Sequence, residues 1–100
     1  MGYDFRMPGK PETRENYTYN VAPMFYAANP GTGIFIINGM TGERAVRPLL
    51  NIRTYMVLHR SEMEAMNPTN DWGDYRGALK LLDRLIEISQ DNPHGEWVVD

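Results

Sequence analysis

The sequence predicts a mainly α fold: a single small domain of three to four helices. It also predicts a short β element from the termini and residues 33–37, and an α+β fold is the alternative. Apolar residues recur at helical spacing over residues 45–58 and again from residue 75 onward. An apolar content of 42% in 100 residues is enough for one core. We therefore expect one globular helical domain over residues 17–100, preceded by an arm of residues 1–16.

The arm carries six charged residues, and it has two prolines and a glycine between residues 8 and 11. It has no helical periodicity, so it is predicted to be extended or partly disordered. Tyr3, Phe5 and Met7 alternate with polar residues at the spacing of a strand. The first residues are therefore also candidates for pairing with another strand or with a second subunit.

Three segments follow the arm. A short helix is predicted over residues 21–28, and the apolar run at 33–37 fits either a buried strand or an extended core segment. Thr41 is a partial capping signal for the helix at 45–58, because its hydroxyl can accept from the amide three residues on. Pro48 lacks the amide that this helix needs, which predicts a kink or a new helix start there.

The second half of the chain contains the clearest element. Ser61 and Glu64 have the spacing of a capping box and predict a short helix. From residue 75 to about residue 89, apolar side chains fill half of a helical wheel and charged side chains fill the other half. Residues 96–99 have the composition of a terminal strand, whose candidate partners are residues 33–37 and the arm.

Composition excludes several classes of protein. The chain has no cysteine, which rules out disulfides and thiolate metal sites and suits a reducing cytoplasm. No stretch approaches the roughly 20 apolar residues that cross a bilayer, so we expect no membrane association. The net charge is −3, and four arginines without an intervening acid between residues 44 and 60 form only a modest basic patch. General DNA binding is therefore not expected.

The residues that could support catalysis are few. His59 and His94 are the only histidines, and neither lies in a hydrolase or zinc motif. Asp83 and Glu87 are four residues apart, but on the solvent side of the last helix. We therefore expect a protein that is not an enzyme, with no cofactor and no metal, and keep a nucleotide hydrolase as the alternative.

Arginines and aromatic rings together are typical of nucleotide-binding sites, where an arginine holds a phosphate and a ring stacks on a base. The candidate ligand-binding residues are three arginines for the anion and three aromatic residues for stacking: Arg44, Arg47, Arg53, Tyr26, Trp72 and Tyr75. In an unbroken helix Arg53 points nearly opposite to Arg44, so the arginines converge only through a kink at Pro48 or across a subunit interface. Core packing is the alternative explanation of the rings. For Arg44 and Arg47 the alternative is that their side chains lie over the core or pair with acids of the last helix.

Three motifs carry a resemblance to a known family. They are Tyr17-Thr-Tyr-Asn-Val-Ala-Pro-Met-Phe-Tyr26, Asn38-Gly-Met-Thr-Gly42 and Asn67-Pro-Thr-Asn-Asp-Trp-Gly-Asp-Tyr75. In this combination the chain resembles a family of small bacteriophage and prophage proteins without an assigned activity, over residues 17–99. The last motif departs from the family pattern at Asp71, where glycine is expected.

The resemblance implies a bacteriophage origin and a location in the host cytoplasm. Small phage proteins without catalytic motifs commonly act by binding, so the leading hypothesis is a counter-defence protein that sequesters a nucleotide-type signalling molecule as a homo-oligomer. One alternative is an inhibitor of a host or defence enzyme that acts through an acidic surface. That surface consists of five acids in the last third of the chain: Asp71, Asp74, Asp83, Glu87 and Asp91. A virion or assembly component is the second alternative.

Overall fold

The chain begins with a β-hairpin that lies in a three-stranded antiparallel sheet of order β2-β1-β3. The structure is a computed structural model and describes residues 2–100. The strands and α-helices, in chain order, are β1 (Gly2–Met7), β2 (Lys10–Thr18), α1 (Ala22–Ala28), α2 (Gly42–Leu58), α3 (Arg60–Ala65), α4 (Tyr75–Asp91) and β3 (Val98–Val99). Two short 3-10 helices span Tyr19–Val21 and Gly33–Ile37.

The prediction of a mainly α fold is wrong, because helices and an antiparallel sheet together make an α+β domain. Residues 33–37 contribute no strand and form a 3-10 helix instead. Two of the three strands come from the N-terminal segment: Tyr3, Phe5 and Met7 are almost fully buried on one face of β1, as their alternation indicated. Burying three large side chains on one face holds this segment in the sheet.

A buried threonine organises the hairpin turn. The Thr13 hydroxyl donates to the Lys10 carbonyl oxygen at 2.7 Å and accepts from the Met7 backbone N–H at 3.0 Å. Gly9 has φ +82°, a conformation that glycine adopts without steric cost. These contacts fix the register in which Tyr3 lies opposite Tyr17.

An aromatic cluster around Tyr3 joins the sheet to the first helices. The Tyr3 ring centroid lies 4.7 Å from that of Tyr19, 5.8 Å from that of Phe25 and 5.4 Å from that of Phe35. Burial raises the pKa of the Tyr3 hydroxyl to about 12, with smaller contributions from the nearby hydroxyls of Tyr26 and Tyr19.

Helices α2 and α4 form an antiparallel pair. At one end a Cβ on Gly42 would lie 2.5 Å from the Ser89 carbonyl oxygen, and at the other end the Tyr75 hydroxyl donates to the Met56 carbonyl oxygen at 3.1 Å. The Thr41 hydroxyl accepts from the Arg44 N–H at 3.4 Å, which confirms the predicted cap. The helix continues through Pro48 without a new start.

The C-terminal segment closes the fold. Val99 of β3 lies opposite Phe5 of β1, so the predicted terminal strand is confirmed and its partner is the N-terminal segment. The Trp97 indole is fully buried and its Nε1–H donates to the Ser89 hydroxyl at 2.9 Å. The Val99 N–H donates to the Asn38 side-chain oxygen at 3.0 Å.

Candidate functional site

The turn before α4 is held by three side chains that accept hydrogen bonds from backbone amides. Asn67 Oδ1 accepts from the Tyr75 N–H at 2.8 Å, and Asn70 Oδ1 accepts from the Trp72 N–H at 3.1 Å. Asp74 Oδ1 accepts from the Gly77 N–H at 2.7 Å and so caps α4. These bonds fix the backbone on both sides of Trp72.

Residues 71 and 73 give this turn its shape, because both have left-handed φ values. Asp71 has φ +61°, and it is the only residue other than glycine with a positive φ among residues 2–100. Gly73 has φ +85° and leaves no room for a Cβ beside the Thr18 side chain. A glycine at position 71 would adopt the same conformation without cost.

Most of the turn motif therefore has a structural role, but the Trp72 side chain is different. Its indole is 67% exposed, whereas Trp97, the other tryptophan, is fully buried. Leaving a large aromatic ring in water stabilises nothing in the fold, so an exposed tryptophan at a rigid position is a candidate for ligand contact.

Trp72 lies beside a groove of about 600 Å³ between the hairpin and the turn, which we call the hairpin groove. Its lining comes from both strands of the hairpin and from the turn: Gly2, Tyr3, Asp4, Arg14, Asn16, Tyr17, Thr18, Trp72 and Gly73. The Tyr17 hydroxyl accepts from the Asp74 N–H at 3.2 Å and so ties one wall to the other. The volume lies in the range of small-molecule sites.

The groove contains one acid and one base that face each other. Arg14 Nε donates to Asp4 Oδ1 at 3.0 Å, and Asp4 also accepts from Arg6 at 3.0 Å, which in turn donates to Asp100 at 2.7 Å. The Arg14 side chain is 65% exposed. A guanidinium has five N–H donors, so Arg14 has donors left for an anionic ligand after pairing with Asp4.

Four of the six sequence-predicted site residues do not line this groove: the three arginines lie on α2, and Tyr75 begins α4. Arg44 and Arg47 are exposed on the first half of α2 and form no ion pair within residues 2–100. Arg53 Nε donates to Asp83 Oδ1 of α4 at 2.5 Å, so the predicted arginine that pairs with an acid of the last helix is neither Arg44 nor Arg47. Tyr75 is buried, with its hydroxyl on the Met56 carbonyl oxygen.

The two remaining predicted residues are both partly exposed, but on different parts of the fold. Tyr26 is 41% exposed and its ring packs against Gly33. Trp72 is the only one of the six that lines the hairpin groove. Within one chain the predicted arginines and Trp72 do not meet: Arg44 lies at the far end of the helix pair, and α4 alone, at 17 residues, is about 25 Å long.

Sequence reasoning missed Arg14, the base that does line the groove. Its position follows from the pairing of β1 with β2, in which Asp4 lies opposite Asn16. The signal that could have found it is the alternation of Tyr3, Phe5 and Met7 ahead of the Pro8-Gly9 pair, which together are typical of a hairpin.

Neither histidine is placed beside a catalytic partner in the part of the chain that the structure describes. The His59 ring stacks on Tyr55 at a centroid distance of 3.9 Å, and its Nδ1–H donates to the Tyr55 carbonyl oxygen at 2.9 Å. His94 is exposed in the turn after α4. Among residues 2–100 no group of three or more His, Asp or Glu side chains is arranged to hold a metal ion.

No protein-family model, curated protein or solved structure matches the chain. Over residues 2–100, none of the helices has the length and apolar content needed to span a bilayer.

Proposed function

We propose that this protein is a non-enzymatic phage accessory protein that binds a nucleotide-type signalling molecule in the hairpin groove and so sequesters it. The observation that carries the proposal is the position of Trp72: a two-thirds-exposed indole on a hydrogen-bonded turn, at the rim of a groove with a partly free guanidinium. The phage setting and the role in counter-defence rest on the family resemblance.

The groove offers a nucleotide three kinds of contact. The base stacks on the Trp72 indole, which contributes roughly 1–3 kcal/mol per base. The phosphate binds the free N–H donors of Arg14, and the oxygens of Asp4 and Asn16 accept from the sugar hydroxyls or the exocyclic amine of the base. Because the walls are tied together by Tyr17, the site needs little reorganisation to accept a ligand.

The acidic-surface alternative has weaker support, since most of its acids already have partners within the chain. Asp74 caps α4, Asp83 pairs with Arg53, and Glu87 lies 3.4 Å from an Arg84 nitrogen. The other two acids, Asp71 and Asp91, lie at opposite ends of α4. A continuous nucleic-acid-like array of free carboxylates is therefore not present on this face.

Intrinsic fluorescence tests the proposal, because Trp72 is the exposed tryptophan and Trp97 is buried. We expect titration with a panel of linear and cyclic mono- and dinucleotides to quench the Trp72 emission for at least one member. In Trp72→Phe the nucleotide should bind more weakly by calorimetry, and Arg14→Ala should weaken binding about tenfold or more, as expected for loss of a charge-assisted bond. Arg44→Ala is the matched control, because it removes another exposed arginine, at the far end of the helix pair.

Two results would count against the proposal. If no nucleotide quenches Trp72 and nucleotide-containing extracts leave no bound small molecule on the purified protein, the groove is not a nucleotide site. If Arg44→Ala weakens binding while Arg14→Ala does not, the anion lies on α2 and the hairpin groove is not the site.

A further inference from the structure

Helix α2 carries an apolar stripe on its solvent side. Leu50, Thr54 and Leu58 follow one another at intervals of four residues, so they lie on one face of the helix. Leu50 is 42% exposed and Leu58 is 75% exposed. We call these three residues the α2 stripe. The buried residues of α2, which are Ala45, Leu49, Ile52 and Met56, lie on the opposite face against the core.

Among residues 2–100, no segment buries the stripe fully. Val57, at the edge of the same face, is also exposed, so three of the five exposed large apolar residues of the described chain are on this one helix face. Leu58 is three-quarters exposed and so contributes little to folding. A concentrated apolar patch on a small protein marks an interaction site. The question is which partner it fits.

The charged groups that flank the stripe in the sequence have opposite net charge. Before it, the first half of α2 carries one acid and two bases, Glu43, Arg44 and Arg47. After it, α3 carries one base and two acids, Arg60, Glu62 and Glu64; Arg60 and Glu64 pair with each other, so the net negative charge of α3 comes from Glu62. The two groups lie at similar distances in sequence from Thr54. A second copy that runs antiparallel therefore brings the net-positive half of one α2 toward the end of the other α2, which the net-negative α3 follows directly, whereas a parallel copy sets the two net-positive halves together.

The spacing of the stripe fits the same arrangement. Leu50 and Leu58 each lie four residues from Thr54. A two-fold axis at Thr54 therefore packs Leu50 of one copy against Leu58 of the other, and the small threonines at the axis let the two helices approach closely. We propose that the α2 stripe is the interface of a two-fold symmetric dimer in which α2 packs antiparallel against α2 of a second copy of this chain.

The proposal does not depend on nucleotide binding, since the hairpin groove lies on other elements. A contact through one helix is smaller than the roughly 800 Å² per partner of a standard interface, so the dimer is expected to dissociate in about the micromolar range. Sedimentation equilibrium or light scattering over a range of concentrations measures it directly.

The first test is Leu58→Glu, which should weaken dimerisation about tenfold or more by placing a charge at the apolar contact. Gln90→Glu is the matched control, because it adds the same charge at an exposed position on α4 and should leave the dimer intact. Circular dichroism establishes that both variants fold. A wild-type protein that stays monomeric at about 100 μM, or a dimer that Leu58→Glu does not weaken, overturns the proposal.

Charge reversal tests the antiparallel orientation. Arg44→Glu with Arg47→Glu should weaken the dimer, and adding Glu62→Arg with Glu64→Arg in the same chain should restore it, because both flanking groups have then changed sign. In a parallel dimer the fourfold variant would still place like charges side by side, so the dimer affinity would not be restored. We expect the restored dimer affinity to be lost at high salt, because salt screens exposed charges.

Discussion

At the scale of single residues, the turn before α4 is built almost entirely from hydrogen bonds to backbone amides. Asn67, Asn70 and Asp74 each accept from an amide within eight residues, and Gly73 supplies a left-handed φ. These residues would look like a polar site in the sequence alone. Their side-chain oxygens are occupied in shaping the turn, and what the turn presents to solvent is the Trp72 indole.

Within this turn, Asp71 is the residue that should tolerate replacement by glycine. Its φ of +61° costs a residue with a Cβ roughly 1–2 kcal/mol, less for aspartate, while glycine loses about 0.5–1 kcal/mol of chain entropy on folding. Asp71→Gly should therefore change the free energy of unfolding by no more than about 0.5 kcal/mol. Asp71→Val should destabilise by about 1–2 kcal/mol, because a β-branched residue is disfavoured at this φ. Urea unfolding measures both, and equal stability of the two variants would contradict the assigned conformation.

Tyr3 should make the fold sensitive to alkali. Its pKa is raised from 10.0 to about 12, so the neutral hydroxyl is favoured in the fold. The contribution of the neutral Tyr3 hydroxyl to the free energy of unfolding is fully present below pH 10. It is lost as the pH rises from about 10 through about 12, and the loss is on the order of 2–3 kcal/mol. Tyr3→Phe keeps the ring and removes the titrating group, so its free energy of unfolding should fall less than that of the wild type over this interval. Parallel pH curves for the two proteins would show that the Tyr3 hydroxyl is not the group responsible.

At the scale of elements, how far the sequence predicted the structure depends on the range of the interactions involved. Helix α4 was predictable because its apolar face repeats within its own 17 residues, and the Thr41 cap involves an amide only three residues away. The segment 33–37 has too few residues to show a period, so its 3-10 conformation is set by tertiary packing. The same limit applies to the candidate site: Trp72 stands out in the sequence, but Arg14 reaches the groove only through strand pairing.

The contact between the start of α2 and the end of α4 depends on Gly42. A Cβ at this position would overlap the Asn92 carbonyl oxygen and lie 2.5 Å from that of Ser89, and backbone atoms cannot rotate away. Gly42→Ala should therefore destabilise by about 1–3 kcal/mol, although alanine is the better helix former by about 1 kcal/mol.

The control for Gly42→Ala is Asn51→Ala, at an exposed position within the same helix. Alanine is a better helix former than asparagine and meets no clash at this exposed position. Asn51→Ala should therefore raise the free energy of unfolding by about 0.5 kcal/mol. Thermal and urea unfolding compare the two. A stabilising Gly42→Ala would show that the ends of α2 and α4 are farther apart than described.

At the scale of the whole molecule, the sheet and the helices share one core. Strand β1 lies between β2 and β3, its aromatic side chains pack on the first helices, and Trp97 beside β3 donates to Ser89 of α4. Segments that are distant in the sequence therefore form one core together, and neither the sheet nor the helix pair has a separate core. Small domains of this kind unfold in one step.

This sharing predicts a single unfolding transition. In Trp72→Phe all tryptophan emission comes from Trp97, which reports the junction of the sheet with α4, while far-ultraviolet circular dichroism reports the helices. The two signals should give the same urea midpoint and the same slope. Helical signal that persists after the Trp97 emission has changed would show that the helix pair is stable without the sheet.

The position of β2 at the outside of the sheet has a consequence for solubility at high concentration. This strand has no strand beside its outer edge within residues 2–100, and a bare edge is a template for adding further chains edge to edge. Pro11 has no N–H to offer such a chain, and Glu12 and Arg14 place charges that an approaching strand must bury. The irregular register between Phe5 and Met7 also disturbs the flat pairing that aggregation requires. The polar residues of β2 thus oppose growth of the sheet at this edge.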